Sequence, residues 1–227
     1  MSNTTLHNEN VSVTLKSLGA ELTSIKDASG TEYLWQANPD FWSGQAPVLF
    51  PIVGCLRNGT ATIGDNKTCS FGRHGLARRL EFDLVSSSDT SITYSLKAND
   101  KTKEQYPYDF ELQMTYELTE HGVKVSHTVI NHDSVVMPYC VGGHPAFNCP
   151  VFENESFEDY IVEFEQPENA ACAQLTEDGL INNADRVSVL ENEAVIPVRH
   201  SLFYKDALVF DALKSRKVAL KHKKTGH

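Results

Sequence analysis

No stretch of this 227-residue chain is apolar for long enough to cross a bilayer as a helix. The opening residues Met1-Ser2-Asn3-Thr4-Thr5 have neither the basic start nor the apolar run of a secretory signal. Cysteine is sparse and unpaired in pattern. Cys55, Cys69, Cys140, Cys149 and Cys172 form no CxxC pair and are odd in number, which excludes a full disulfide framework and favours a reducing, cytoplasmic setting. They are expected to be small buried hydrophobes, because Cys140, His144 and Cys149 match no common structural-zinc spacing. Positive charge is also short. A formal net charge of −10 disfavours nucleic acid and anionic membranes as partners. Repeats, low-complexity tracts and linker-like composition shifts are absent, so a single domain over residues 1–227 is the simplest expectation.

What the chain does have is alternation. Phe110, Leu112, Met114, Tyr116 and Leu118 fall on one face of an extended segment, with Glu111, Gln113, Thr115 and Glu117 opposite. After the turn Thr119-Glu120-His121-Gly122, Val123, Val125, His127 and Val129 alternate again, predicting a β-hairpin. His127 falls on the apolar face and reads as a core histidine with its hydrogen bonds satisfied. Further strands are predicted around Val11-Val13-Leu15, Ile92-Tyr94-Leu96, Ile161–Phe164, Val187–Leu190, Ala207–Phe210 and Val218–Lys223, with a loop from Asn148 to Asn154. With 41% hydrophobic residues and many short strands between Gly, Pro, Asn and Asp clusters, the chain should be all-β, a sandwich or barrel.

Two segments carry the chemistry: Gly72-Arg73-His74-Gly75-Leu76-Ala77-Arg78 and Val141-Gly142-Gly143-His144-Pro145-Ala146-Phe147-Asn148. Each sets a histidine among glycines, which lets backbone crowd close to a neighbour. Pro145 pushes His144 toward an extended backbone. Neutral histidine gives or takes a proton near pH 7, and arginine grips oxygen ligands in a fixed fork. The pair makes joint sense as one pocket doing proton chemistry on an oxygen-rich molecule, with His74, His144 and Arg78 together. Phe147 and Trp42 could stack on the apolar face of a sugar, and Trp42 could equally be core. Arg79, next to Arg78, reads as a solvated surface group, and His222 and His227 as residues without a catalytic role.

These segments, with Leu49-Phe50-Pro51-Ile52-Val53-Gly54, resemble the aldose 1-epimerase family, and most the bacterial branch associated with lactose operons. Phe41-Trp42-Ser43-Gly44, Tyr106-Pro107 with Phe110, and Leu202-Phe203 with Asp206-Ala207-Leu208 fit the same order. The resemblance implies a large twisted antiparallel β-sandwich of the galactose mutarotase type. It also implies interconversion of sugar anomers by ring opening and closure, with no cofactor and a small sugar as partner. Carried over residue by residue, His144 becomes the acid at the ring oxygen, His74 a group that holds that oxygen, and Arg78 a substrate-binding arginine. Asp206 sits where the family often bonds sugar hydroxyls, although a turn aspartate reads equally well there. Arg57 stands two residues beyond the family's usual arginine position, which Cys55 occupies, and is either a sugar contact or exposed. Family members continue through further strands, one bearing a glutamate that acts as base. No position here matches it, so either this is a form lacking those strands, with an incomplete sandwich and weak mutarotation, or the family mechanism cannot operate unchanged. A hexose-6-phosphate epimerase and a non-catalytic sugar-binding protein on the same scaffold are the alternatives.

Overall fold

The computed structural model describes residues 2–227, which group into two compact units, one ending at Asn148 and the other spanning Cys149–His227. In the first unit, β1 (Asn3–His7), β2 (Val11–Lys16) and β3 (Glu21–Asp27) form an antiparallel sheet in that order. The short strand β4 (Val48–Leu49) and the hairpin β5 (Thr60–Ile63) with β6 (Lys67–Ser70) follow. Next come β7 (Asp83–Ser87), β8 (Ser91–Lys97), the helix α1 (Asp100–Gln105), β9 (Phe110–Thr119) and β10 (Gly122–Asn131). These four strands make the second large sheet, in the order β10-β9-β8-β7. The two-residue β11 (Gly142–Gly143) closes the unit by pairing with β4, Gly142 opposite Leu49 and Gly143 opposite Val48. Among the described residues no helix is long and apolar enough to cross a membrane.

Alternation builds the core of this unit. Val11, Val13 and Leu15 from β2 are buried with Ile92, Tyr94 and Leu96 from β8 and Phe110, Leu112, Met114 and Tyr116 from β9, in one continuous apolar cluster. The two sheets therefore bury their faces against each other, the arrangement of a sandwich. Burying each large side chain contributes roughly 1.5–3 kcal/mol. Polar tips cross the same gap: the Tyr116 hydroxyl donates to the Ala20 carbonyl at 2.6 Å. Aromatic rings concentrate at one end, where Phe50 lies 5.1 Å from Phe110 and 5.9 Å from Tyr106, centroid to centroid. The Tyr106 hydroxyl donates to the Pro138 carbonyl at 2.7 Å and Cys140 N–H to the Pro51 carbonyl at 2.8 Å. The segment leading to β11 is thus tied to the segment leaving β4.

The second unit is a three-stranded antiparallel sheet, with β12 (Tyr160–Leu175) between β13 (Ile181–Pro197) and β14 (Val218–His222). Both long strands carry register shifts, for example between Glu163 and Glu168. A small cluster of Phe164, Leu190 and Ile196 forms its centre.

Some expectations need correction. Residues 207–210 form no strand. Val209 makes a single bridge to Ala173, and the segment otherwise runs irregularly. Ala207, Leu208 and Phe210 line a groove with other apolar side chains, so hydrophobicity there does not signal backbone pairing. His127 is only half-buried, and its Nε2 has no hydrogen-bond partner among the described residues, so it is not a satisfied core histidine. Only Cys69 and Cys172 are buried; Cys140 is exposed and Cys55 and Cys149 are intermediate.

Candidate active site

The chain around His74 is bent into place by backbone that only special residues tolerate. His74 itself has φ +68° and Gly75 φ +74°. A Cβ at residue 75 would run into the Phe50 carbonyl oxygen, which accepts a hydrogen bond from Leu76 N–H at 2.9 Å. Opposite lies Gly54, with φ +85°. His74 N–H donates to the Gly54 carbonyl at 2.7 Å, and Gly54 N–H donates back to His74 Nδ1 at 3.0 Å. That second bond requires Nδ1 to be unprotonated, so the neutral ring carries its proton on Nε2.

His144 arrives from the other segment. A ladder runs beside it: Ala146 N–H donates to the Gln45 carbonyl at 2.8 Å and His144 N–H to the Pro47 carbonyl at 3.1 Å, continuing the β4–β11 pairing. This ladder brings the two imidazoles together, with ring centroids 5.4 Å apart and planes at 74°. Trp42 packs against His144 too, with ring centroids 5.2 Å apart. It is half-buried against the site rather than sunk in the core, and Gly44 is what admits it, because a Cβ there would sit 2.5 Å from the indole. The His144 ring remains exposed to a ligand.

Arg78 and Arg79, on a 3₁₀ turn, line a cavity of about 280 Å³ with Trp42, Ser43, Gly44, Pro47 and Glu21. Arg78 Nε is buried without a hydrogen-bond partner among the described residues. Its pKa is pushed down by burial first and then by Arg79, while Glu21 pulls it up. The His74 pKa is pulled down to about 4, chiefly by burial, then by the adjacent His144, Arg78 and Arg73. His74 is therefore neutral near pH 7 and offers an Nε2–H donor.

The other sequence candidates fall in different places. Phe147 is 52% exposed and bridges Leu34 in the first unit. Arg57 is exposed on a 3₁₀ turn. Asp206 belongs to the second unit, with φ +75° and its carboxylate accepting from Ala207 N–H at 2.7 Å, the geometry of a turn aspartate. Arg79 is exposed as expected but stands on the cavity wall. His222 and His227 stack at 5.1 Å in the second unit, where His227 Nε2 lies 2.8 Å from Glu155. Sequence reasoning missed Glu21. The available signal was its isolation as the sole charge between Lys16 and Lys26, straight after the Gly19-Ala20 turn.

A sandwich bearing paired histidines beside an arginine-lined cavity defines a scaffold for acid–base chemistry on a polar small molecule. The aldose 1-epimerase family model matches residues 2–226, and the chain belongs to that family. The plasmid and chromosomal LacX proteins of Lactococcus lactis subsp. lactis are each 43% identical over 227 residues, which cover 97% of this chain and 76% of theirs. Among solved structures, a galactose mutarotase related enzyme from Lactobacillus acidophilus superposes with TM-score 0.91 at 33% identity, over 98% of this chain and 74% of that one. A galactose mutarotase-like protein from Lactobacillus casei gives 0.88 at 30% identity, over 96% and 75%. The fold is thus the all-β galactose mutarotase-like sandwich, and the family supports a sugar epimerase or mutarotase role.

Proposed function

We propose that this protein interconverts the α and β anomers of a hexose in the cytoplasm, by acid–base ring opening and closure and with no metal or organic cofactor. The observation that carries the reading is the His74–His144 pair, 5.4 Å apart, with the His74 tautomer fixed by Gly54 N–H. Opening the ring requires a proton at the ring oxygen and loss of one from the C1 hydroxyl; closure on the other face reverses both. In this reading the exposed His144 ring delivers and recovers the ring-oxygen proton. His74, kept neutral, donates its Nε2–H to the same oxygen and steadies it as charge develops. Arg78 holds sugar hydroxyls, and Trp42 offers a face for the apolar side of the sugar. Phe147, Arg57 and Asp206 remain proposed sugar contacts that mutation must sort.

The C1 proton needs an acceptor. Glu21 is the one carboxylate lining the cavity among the described residues, and its oxygens already accept from Gln45 N–H and Ala46 N–H and pair with Lys16. It is a poor base for that reason. Polarimetry on freshly dissolved α-glucose and α-galactose tests the reading. Accelerated relaxation that His144→Gln abolishes supports it. Calorimetric sugar binding with no acceleration supports a non-catalytic binder instead.

One observation favours a phosphorylated hexose as the alternative substrate. Arg78 carries a buried Nε–H with no partner among the described residues, and Arg79 lines the same cavity. Arginine forks suit phosphate oxygens. Glucose 6-phosphate relaxing faster than glucose, with an advantage that fades in added salt, would select this reading.

A further inference from the structure

Glu21 is buried to 5% exposure, an uncommon place for a carboxylate unless it is fully engaged. It stands where β3 begins, and its amide partners lead to the site. Its Oε1 accepts from Gln45 N–H and Ala46 N–H, each at 2.9 Å. The carbonyls of Gln45 and of Pro47, two residues on, accept from Ala146 N–H and His144 N–H respectively. One short relay therefore runs from the carboxylate through the 45–47 segment to the backbone of His144. On its other side Glu21 lines the cavity shared with Arg78 and acts electrostatically on that guanidinium. The Arg78 backbone is held equally close: a Cβ at Gly19 would lie 3.0 Å from the Arg78 carbonyl. Lys16 Nζ approaches Glu21 Oε2 at 2.5 Å and partly neutralises it.

We propose that Glu21 is a positioning residue, which sets Arg78 and the 42–47 segment that holds His144 against each other around the cavity they line. The proposal rests on the sugar reading above, and it makes Glu21 neither acid nor base. Its charge steadies the Arg78 fork, and its hydrogen bonds fix the wall of Trp42 and Pro47, to which the His144 segment is bonded. An ordinary buried ion pair predicts something different: Glu21 would serve only to satisfy Lys16.

Glu21→Gln separates these ideas, because glutamine keeps the shape and an acceptor oxygen for both amides while removing the charge. Hexose affinity by calorimetry should weaken, and KM rise, about tenfold, with kcat within about threefold of wild type. The double variant Lys16→Met/Glu21→Gln, which removes the ion pair as a unit, should remain equally weak. Wild-type affinity in either variant would overturn the proposal. If the wild-type protein neither binds nor turns over hexose, the sugar reading fails by itself. Positioning is then judged by NMR of the Arg78 Nε–H and His144 ring signals, both of which should shift in Glu21→Gln. Unchanged signals would overturn it. Should Glu21→Gln not fold, Lys16→Met alone, which leaves the amide bonds intact and unmasks the carboxylate, must shift the Arg78 signal or the proposal falls.

Discussion

His74 and Gly54 exchange two hydrogen bonds, and that reciprocity determines what the histidine can do. Protonating Nδ1 would break the bond from Gly54, and burial already opposes the charge, so His74 stays neutral down to about pH 4. In the unfolded chain it takes up a proton near pH 6.5. Between those values the unfolded state binds more protons, so stability is lost as pH falls through that window and is unaffected above it. His127, whose pKa burial also lowers, acts in the same direction. The urea midpoint should drop between pH 7.5 and pH 5, and the drop should be smaller in His74→Asn and in His127→Asn. An equal drop in both variants would assign the acid sensitivity elsewhere. His144→Gln should cost mutarotation about 10²–10⁴-fold, since glutamine can hold a sugar but cannot pass a proton. Glycine positions separate just as clearly. Gly75→Ala meets both a left-handed φ and the Phe50 carbonyl and should destabilise by more than about 2 kcal/mol in denaturant titration. Gly30→Ala, with φ +87° but open space around it, should cost about 1 kcal/mol.

At the scale of elements, β9 was the most legible part of the chain because a period of two exposes its buried face directly. Phe110, Leu112, Met114 and Tyr116 are buried as the alternation required. Glu111 on the opposite face is buried too, which the pattern could not show: Ser95 donates to it at 2.8 Å and Gln113 at 2.7 Å, so its charge is accommodated by partners distant in sequence or side by side. The same limit applied to Glu21, whose partners are backbone amides of a loop. The continuous apolar run Ala207–Phe210 read as a strand, yet it forms only the single Val209 bridge and otherwise lines a groove. The histidine motifs were readable from their glycines, whereas the tautomer of His74 and the seat of Trp42 needed coordinates. Packing in β9 should be costly to disturb. Leu112→Ala should lose about 2–5 kcal/mol, whereas Val125→Ala on the paired strand β10, 40% exposed, should change stability by less than about 1 kcal/mol. Urea unfolding monitored by fluorescence measures both.

Across the whole molecule, burial is uneven. The first unit holds a continuous core drawn from both of its large sheets, whereas the second centres on Phe164, Leu190 and Ile196. In β13 the residues from Ile181 to Ser188 are exposed. Local opening follows such differences in burial. Hydrogen exchange followed by mass spectrometry should find the slowest amides in β8 and β9 and much faster exchange along residues 181–188. Uniform protection across both units would contradict this.

The clasp between Gly54 and His74 also has a consequence for which sequences can share this site. Residue 54 must give an amide to the ring and accept a positive φ, and residue 75 must leave room for the Phe50 carbonyl. None of the three positions is free to vary while the histidine is needed. Once His74 is replaced, the ring's claim on residue 54 disappears, but the left-handed turn at 75 remains. Libraries selected for sugar turnover should therefore retain 54, 74 and 75 together, whereas libraries selected only for folding should release 74 first and keep glycine at 75.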